Sequence, residues 1–307
     1  MNRRFTKIHF IGIGAERAGT TWLAEKLDAH PEICLSRPKE IFYFNTYNNR
    51  THPTKRNLHR TKSLQWYFSH WKHCQKNSII GEFSTIYLYD RDAYKRIHSM
   101  FPDIKLIVVL RNPIYRLISQ FLWYKYHFGL EKSDNFEEVV KHNPDYVQKS
   151  LYFTQLKRYF NLFSRENIYV VIFEEMIKNP AITLQDIYKF LNVNYNFLPD
   201  NLYLKSNQNT YLKSQFLLKI INYFASLTND LGLYSLIEHT FESLHIKHLL
   251  KKCLYSDITE HKKITKQTIL KKYDSYIQQL QHLFIADIHS LEKLINKDLS
   301  LWYENWF

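Results

Sequence analysis

A short apolar run that breaks into glycines limits this chain more than any other stretch. Residues 8–13 suit a strand buried on both faces. The segment Gly14-Ala15-Glu16-Arg17-Ala18-Gly19-Thr20-Thr21-Trp22 follows at once. Residues 20–29 then put Leu23, Ala24 and Leu27 on one helical face, and Pro31 ends the helix. The chain has only six glycines, and Gly12, Gly14 and Gly19 all fall here. The first turn of a helix carries backbone N–H groups without partners, and the helix dipole adds positive potential, so a strand–glycine loop–helix unit is an anion site. A tight turn without a ligand is the plainer alternative.

The rest of the chain repeats the alternation. Residues 78–82 read as a short strand and 91–100 as a helix. Residues 105–110, KLIVVL, form the clearest strand. Asn112 is a good N-cap and Pro113 a good first helical residue, so a helix is expected over 113–126. A helix over 151–163, a strand over 168–173 and a helix over 181–191 follow. From about residue 211 strong strand signals cease, and several helices are expected, the last over 264–296. Strands alternating with helices predict an α/β fold: a P-loop-like, three-layer arrangement with a central parallel sheet flanked by helices and a mainly helical C-terminal part. One domain is expected over 1–307, with about 1–200 as the nucleotide-binding core and about 201–307 as its helical continuation.

Aromatic residues at 16% and apolar residues at 45% exclude a disordered chain. No apolar run reaches the length of a membrane helix, and the N-terminal run leads into the glycine loop rather than a cleavage site. No integral membrane segment is expected, and a cytoplasmic location follows from these readings. The three cysteines, Cys34, Cys74 and Cys253, are far apart and odd in number. They suggest no zinc spacing and cannot all pair, so a reducing compartment is the simplest reading. The 15 histidines form no metal-ligand pattern, and no metal site is expected. The net charge of +13 calls for an anionic partner or reflects a lysine-rich surface.

The loop has the outline of a nucleotide P-loop, G-x-x-x-x-G-K-[ST], but Thr20 stands where the lysine belongs and the basic residue is Arg17. No strand ends in the aspartate that would hold magnesium, since 105–110 runs into Arg111. A kinase or NTPase is weakened by both facts but stays an alternative. So does a non-enzymatic polyanion-binding protein, although no nucleic-acid-binding motif supports it. Arg111 ends a central strand at the sheet edge where open α/β sheets bind ligands. Ser119 lies two turns into the next helix, so the two can meet one anion.

Together these elements resemble the sulfotransferases that use 3′-phosphoadenosine 5′-phosphosulfate (PAPS). Arg17-Ala18-Gly19-Thr20-Thr21-Trp22-Leu23 resembles that family's 5′-phosphosulfate loop, and Arg111-Asn112-Pro113-Ile114-Tyr115-Arg116-Leu117-Ile118-Ser119 its 3′-phosphate element. Lys39-Glu40-Ile41-Phe42-Tyr43-Phe44 and Gly81-Glu82-Phe83-Ser84-Thr85-Ile86-Tyr87-Leu88 resemble two segments of the Golgi-type carbohydrate branch, shared with bacterial relatives. Arg17 replaces the lysine common in that branch, Phe83 another lysine near the sulfate, and Thr85 a proline.

The resemblance implies PAPS as donor, adenosine 3′,5′-bisphosphate (PAP) as product and no required metal. The acceptor it implies is a sugar hydroxyl or amine, with no nucleic-acid partner. It assigns Glu40 as general base. Arg17 is assigned to charge stabilisation, and Arg17, Ala18, Gly19, Thr20, Thr21 and Trp22, with Arg111 and Ser119, to cofactor binding. Trp66, Tyr67 and Phe68 are read as core packing before a sugar cleft. Glu82 is either an interior polar bridge or a substrate contact. Lys205, Asn207 and Lys213 fall where the family closes over the nucleotide. The lysine-rich stretch 247–272 is read first as a solvated helix face.

Overall fold

In chain order, the computed structural model of the protein describes residues 7–47, 50–51, 57–204, 210–212, 255–257, 264–304 and 306. The glycine-loop unit forms as its residues dictate. Strand β1 (Phe10–Gly14) is buried along its whole length, and helix α1 (Thr20–Asp28) starts directly after Gly19. Four more strands join it: β2 (Ile33–Leu35), β3 (Ile79–Phe83), β4 (Lys105–Leu110) and β5 (Ile168–Ile172). The sheet is entirely parallel with the order β2-β3-β1-β4-β5.

Helices fill the connections: α2 (Leu58–Thr61), α3 (Leu64–Phe68), α4 (Ala93–Met100), α5 (Pro113–Tyr126), α6 (Phe136–His142), α7 (Asp145–Gln148), α8 (Tyr152–Phe160), α9 (Phe173–Lys178) and α10 (Pro180–Leu191). Helix α5 has the expected bounds. Its cap is the reason: the Asn112 side chain accepts from the Ile114 and Tyr115 amides at 3.1 and 3.2 Å, and Pro113 gives up no hydrogen bond at the first position.

The C-terminal part departs from expectation in two ways. A short antiparallel pair, β6 (Thr210–Leu212) with β7 (Tyr255–Asp257), lies where only helices were expected. Three-residue strands are too short to leave a periodic signal. The helix expected over 264–296 is two, α11 (Lys266–Lys272) and α12 (Asp274–Ile295), interrupted where Tyr273 leaves helical geometry. Helix α12 packs on α8 and α5. Its Asp287 accepts from the Tyr152 amide at 2.8 Å at the start of α8. After α12, the Trp302 carbonyl accepts from the Asn112 amide side chain at 2.9 Å.

One further difference concerns the cysteines. Cys34 on β2 and Cys74, just past the 3-10 turn Ser69–Trp71, form a disulfide, their Cα atoms 5.9 Å apart. A reducing compartment is the simplest reading of cysteine number and spacing alone, but a pair separated by 40 positions is recognisable only once strand β2 stands beside β3.

Candidate active site

The strand order sets the ends of β3, β1 and β4 side by side, so the loops after them share one edge of the sheet. The glycine loop occupies the middle. It is anchored where the Ala15 amide donates to the Val109 carbonyl at 2.8 Å. Two glycines are needed there. A Cβ on Gly14 (φ +154°) would come within 2.9 Å of the Thr85 carbonyl, and one on Gly19 (φ +88°) within 2.7 Å of the Phe173 ring. Between them Arg17 holds φ 68°, a left-handed conformation that costs a non-glycine residue about 1–3 kcal/mol and concentrates at functional sites. Gly19 caps α1 without a side-chain bond, and no acidic residue occupies the first turn. The amides of Thr20, Thr21 and Trp22 thus open the helix without intrahelical acceptors.

The two basic elements meet. The Arg17 guanidinium donates from Nε to Ser119 Oγ at 3.2 Å and lies 4.2 Å over the Trp123 ring, so both contacts are on α5. Arg111 donates to the Arg17 carbonyl at 3.1 Å and lies 4.5 Å over the Phe173 ring. The Arg111 Nε is buried and has no hydrogen-bond partner among the described residues. Burial pushes the Arg17 guanidinium down to about 10, with Glu16 opposing and Arg111 adding to the fall. Burial likewise lowers Arg111, against the pull of Glu174. Both stay cationic at neutral pH. Crowded, half-desolvated cations beside open amides are what a polyanion site requires.

Sequence reasoning missed several supporting residues. Glu16 turns inward, accepting from Lys149 at 2.7 Å and from the Tyr124 hydroxyl at 3.1 Å. Burial alone would raise its carboxyl, but Lys149 holds it below the usual range. Lys266 on α11 lies 3.4 Å from the Tyr115 ring centroid; burial lowers its ammonium, and so does Arg111. Lys149 and Lys266 come from elements that only tertiary packing brings to the loop.

Glu40 stands on the other side, held from β3. Its Oε1 accepts from the Thr85 hydroxyl at 3.0 Å and pairs with Lys39 at 3.2 Å. Thr85 is the residue whose carbonyl abuts Gly14, so Glu40 is tied to the start of the loop. Phe83, where the carbohydrate branch has a lysine, is fully buried with its ring edge-on to Phe10.

Glu82 is an interior polar bridge. Fully buried, it accepts from the Tyr67 hydroxyl at 3.2 Å and from Ser84 Oγ at 3.4 Å, while Ser84 Oγ accepts the Ile41 and Phe42 amides at 3.1 Å. Tyr67 is fully buried, and Trp66 and Phe68 pack against the same core. Burial raises the Glu82 carboxyl to about 8 from 4.5, against the hydrogen bonds of Tyr87, Tyr67 and Ser84. A carboxyl that binds its proton more tightly in the folded state stabilises the fold most below its unfolded value, and that contribution is lost as pH rises through about 8. Glu82→Gln, permanently neutral, is therefore expected to flatten the fall of Tm with pH between about 5 and 9. Thermal melts across that range check this; a constant gap between the two proteins would show that Glu82 does not titrate there.

Lys205, Asn207 and Lys213 lie outside the described residues, as does most of 247–272. Among the described residues no helix is long and apolar enough to cross a membrane.

The same fold recurs in a solved structure. A sulfotransferase from Alicyclobacillus acidocaldarius superposes with a TM-score of 0.65 at 22% identity, covering 97% of this chain and 99% of that one. In sequence, the membrane-associated sulfotransferase kil1 of Dictyostelium discoideum is 22% identical over 76% of this chain and 66% of its own length. Mouse heparan sulfate glucosamine 3-O-sulfotransferase 5 is 27% identical over 65% of this chain and 57% of its own. The chain thus spans less than two thirds of these curated relatives. Residues 7–284 match the family model described as "Sulfotransferase domain". That match runs from β1 into α12 and takes in both basic elements and Glu40, so the chain belongs to the sulfotransferase family.

Proposed function

We propose that this sulfotransferase moves a sulfuryl group from PAPS to a hydroxyl or amine of a carbohydrate, with Glu40 as general base. The observation that carries the reading is the meeting of Arg17 from the glycine loop with Arg111 and Ser119 from the end of β4 and from α5, across the sheet edge from Glu40. The buried Arg111 Nε, without a hydrogen-bond partner among the described residues, and the open amides in the first turn of α1 fit a doubly phosphorylated nucleotide. The sugar acceptor is suggested by the heparan sulfate relatives. We also propose that residues 1–307 act as one domain, that no metal takes part in the transfer, and that the protein works in the cytoplasm. The membrane-associated name of one relative and the Cys34–Cys74 bridge pull against that location.

PAPS, when bound, supplies the sulfuryl group and leaves as PAP. The chain's own residues bind and polarise. The amides of Gly19, Thr20, Thr21 and Trp22, with Ala18 shaping the turn, receive the 5′-phosphate end at the start of α1. Arg17 neutralises negative charge that grows on the leaving oxygen, in a site whose donors are already in place. Arg111 and Ser119 hold the 3′-phosphate. Glu40 accepts the proton of the attacking hydroxyl at a carboxylate oxygen, while Thr85 fixes the carboxylate's orientation.

The experiment that tests the reading is transfer from labelled PAPS across acceptor classes, with Arg111→Ala beside the wild type. Charge-assisted hydrogen bonds to a phosphate are worth about 1.5–3 kcal/mol. Arg111→Ala should weaken PAP binding by roughly 10- to 100-fold, yet leave adenosine 5′-phosphosulfate, which lacks the 3′-phosphate, nearly unchanged. Equal losses for both ligands would remove Arg111 from the 3′-phosphate role.

A further inference from the structure

Cys34, His73 and Cys74 form a cluster that the transfer reaction does not use. Cys34 is the half-buried middle residue of β2; Cys74 is buried at the end of the turn after α3; His73 beside it is exposed. The His73 Nε2 stands 3.4 Å from the Cys34 sulfur and 3.6 Å from the Cys74 sulfur. A tetrahedral zinc with thiolates at about 2.3 Å and an imidazole at about 2.0 Å keeps sulfur and nitrogen about 3.5 Å apart. Both sulfur–nitrogen edges of such a site are already present.

The third edge is closed by the disulfide, and backbone and indole hydrogen bonds brace the surrounding frame beside it. The Arg37 amide donates to the His70 carbonyl at 3.0 Å. The Ser36 amide and the Trp71 indole N–H both donate to the Gly81 carbonyl at 3.0 Å. These bonds hold the residues just after β2 and the 69–74 turn together over the middle of β3. After reduction, side-chain rotation alone lets the two sulfurs part to the roughly 3.8 Å that two thiolates on one tetrahedral metal keep.

We propose that the reduced protein binds a thiophilic divalent metal ion, of which zinc is the type, through Cys34, Cys74 and His73, with the fourth position open to solvent. Two thiolates and an imidazole select a soft ion over magnesium or calcium. Binding releases the two thiol protons and forms two metal–sulfur bonds and one metal–nitrogen bond. The disulfide is the metal-free form of the same site. A small-molecule disulfide, on exchange, takes two electrons and becomes two thiolates, which take up two protons from water, while the Cys34–Cys74 sulfur–sulfur bond forms and the metal ion leaves.

Full-length protein carrying Cys253→Ser, reduced with a phosphine under anaerobic conditions, is titrated with Co²⁺. The expected result is saturation at about one equivalent, with thiolate-to-cobalt charge-transfer absorption and intense tetrahedral visible bands, all displaced by Zn²⁺. His73→Ala, at an exposed position, should keep the native circular dichroism and weaken Co²⁺ about tenfold or more. Cys34→Ser should abolish the charge-transfer band; should that variant not fold, alkylation of the reduced wild-type thiols gives the same readout. The oxidised protein should bind no Co²⁺ with sulfur ligands. A folded, reduced protein without the charge-transfer band at saturating Co²⁺ would overturn the proposal, and so would an affinity unaltered by His73→Ala.

Discussion

Glu40→Gln is expected to cut sulfuryl transfer by roughly 10²- to 10⁴-fold, the range a positioned general base supplies, while leaving PAP binding at the wild-type level. The substitution is close to isosteric. A glutamine carbonyl oxygen still accepts from the Thr85 hydroxyl, the contact that orients the side chain. The lost ion pair with Lys39 joins two side chains about a quarter exposed, and pairs near the surface contribute little. Stability and bisphosphate affinity should therefore hold, and the loss should fall on turnover. Single-turnover transfer from labelled PAPS, set beside calorimetric PAP titration, separates the two. Wild-type turnover in the variant would mean that another group takes the proton.

The second large effect is on the fold beneath the loop. Lys149 and Glu16 pair at 2.7 Å with side chains only 3% and 13% exposed. Removing one partner of such a pair leaves a buried, uncompensated charge and costs about 3–5 kcal/mol. Lys149→Met should lower unfolding free energy by that amount in urea melts. It should also weaken PAP, because Glu16 directly precedes Arg17 and its carboxylate is held away from the anion site by Lys149 and Tyr124. The double variant Lys149→Met with Glu16→Gln removes both charges and should recover much of the stability. A single variant as stable as the wild type would mean that Glu16 finds water or a proton instead. Because Lys149 keeps the Glu16 carboxyl low despite burial, the pair's contribution is present above the ordinary glutamate range and is lost as pH falls through the lowered folded value.

What could be read in the residues follows how local the cause is. The bounds of α5 rest on Asn112 and Pro113, which cap and start the helix wherever the fold puts them. Strand β4 is six apolar or partly apolar residues in a row, and it too has its expected bounds. The glycine loop was readable because its backbone geometry needs glycine at two places. Strand β2 was missed: it is three residues long and owes its existence to pairing with β3. The same holds for the Cys34–Cys74 contact and for the inward turn of Glu16, a charged residue in a loop whose partner Lys149 lies 133 positions on. Glu82 could be read two ways, and burial beside Tyr67 and Ser84 decides for the interior one. Side chains whose partners arrive from distant segments leave no periodic trace.

The order β2-β3-β1-β4-β5 has a consequence for how the protein is made. Among the described strands of this sheet β1 is made first yet lies at the centre, and neither of its neighbours is next in the chain. The glycine loop is therefore synthesised without a floor. The Glu40 side is completed when β3 docks, and the Arg111 side only after β4 follows. Pairing strands so far apart in sequence is slow, because loop closure precedes the contacts that reward it. A nascent chain stopped between β3 and β4 would carry Glu40 and Arg17 without Arg111 and Ser119. The paired basic elements are thus the property of a finished sheet, and chains truncated before β4 are expected to bind no PAP in calorimetric titration.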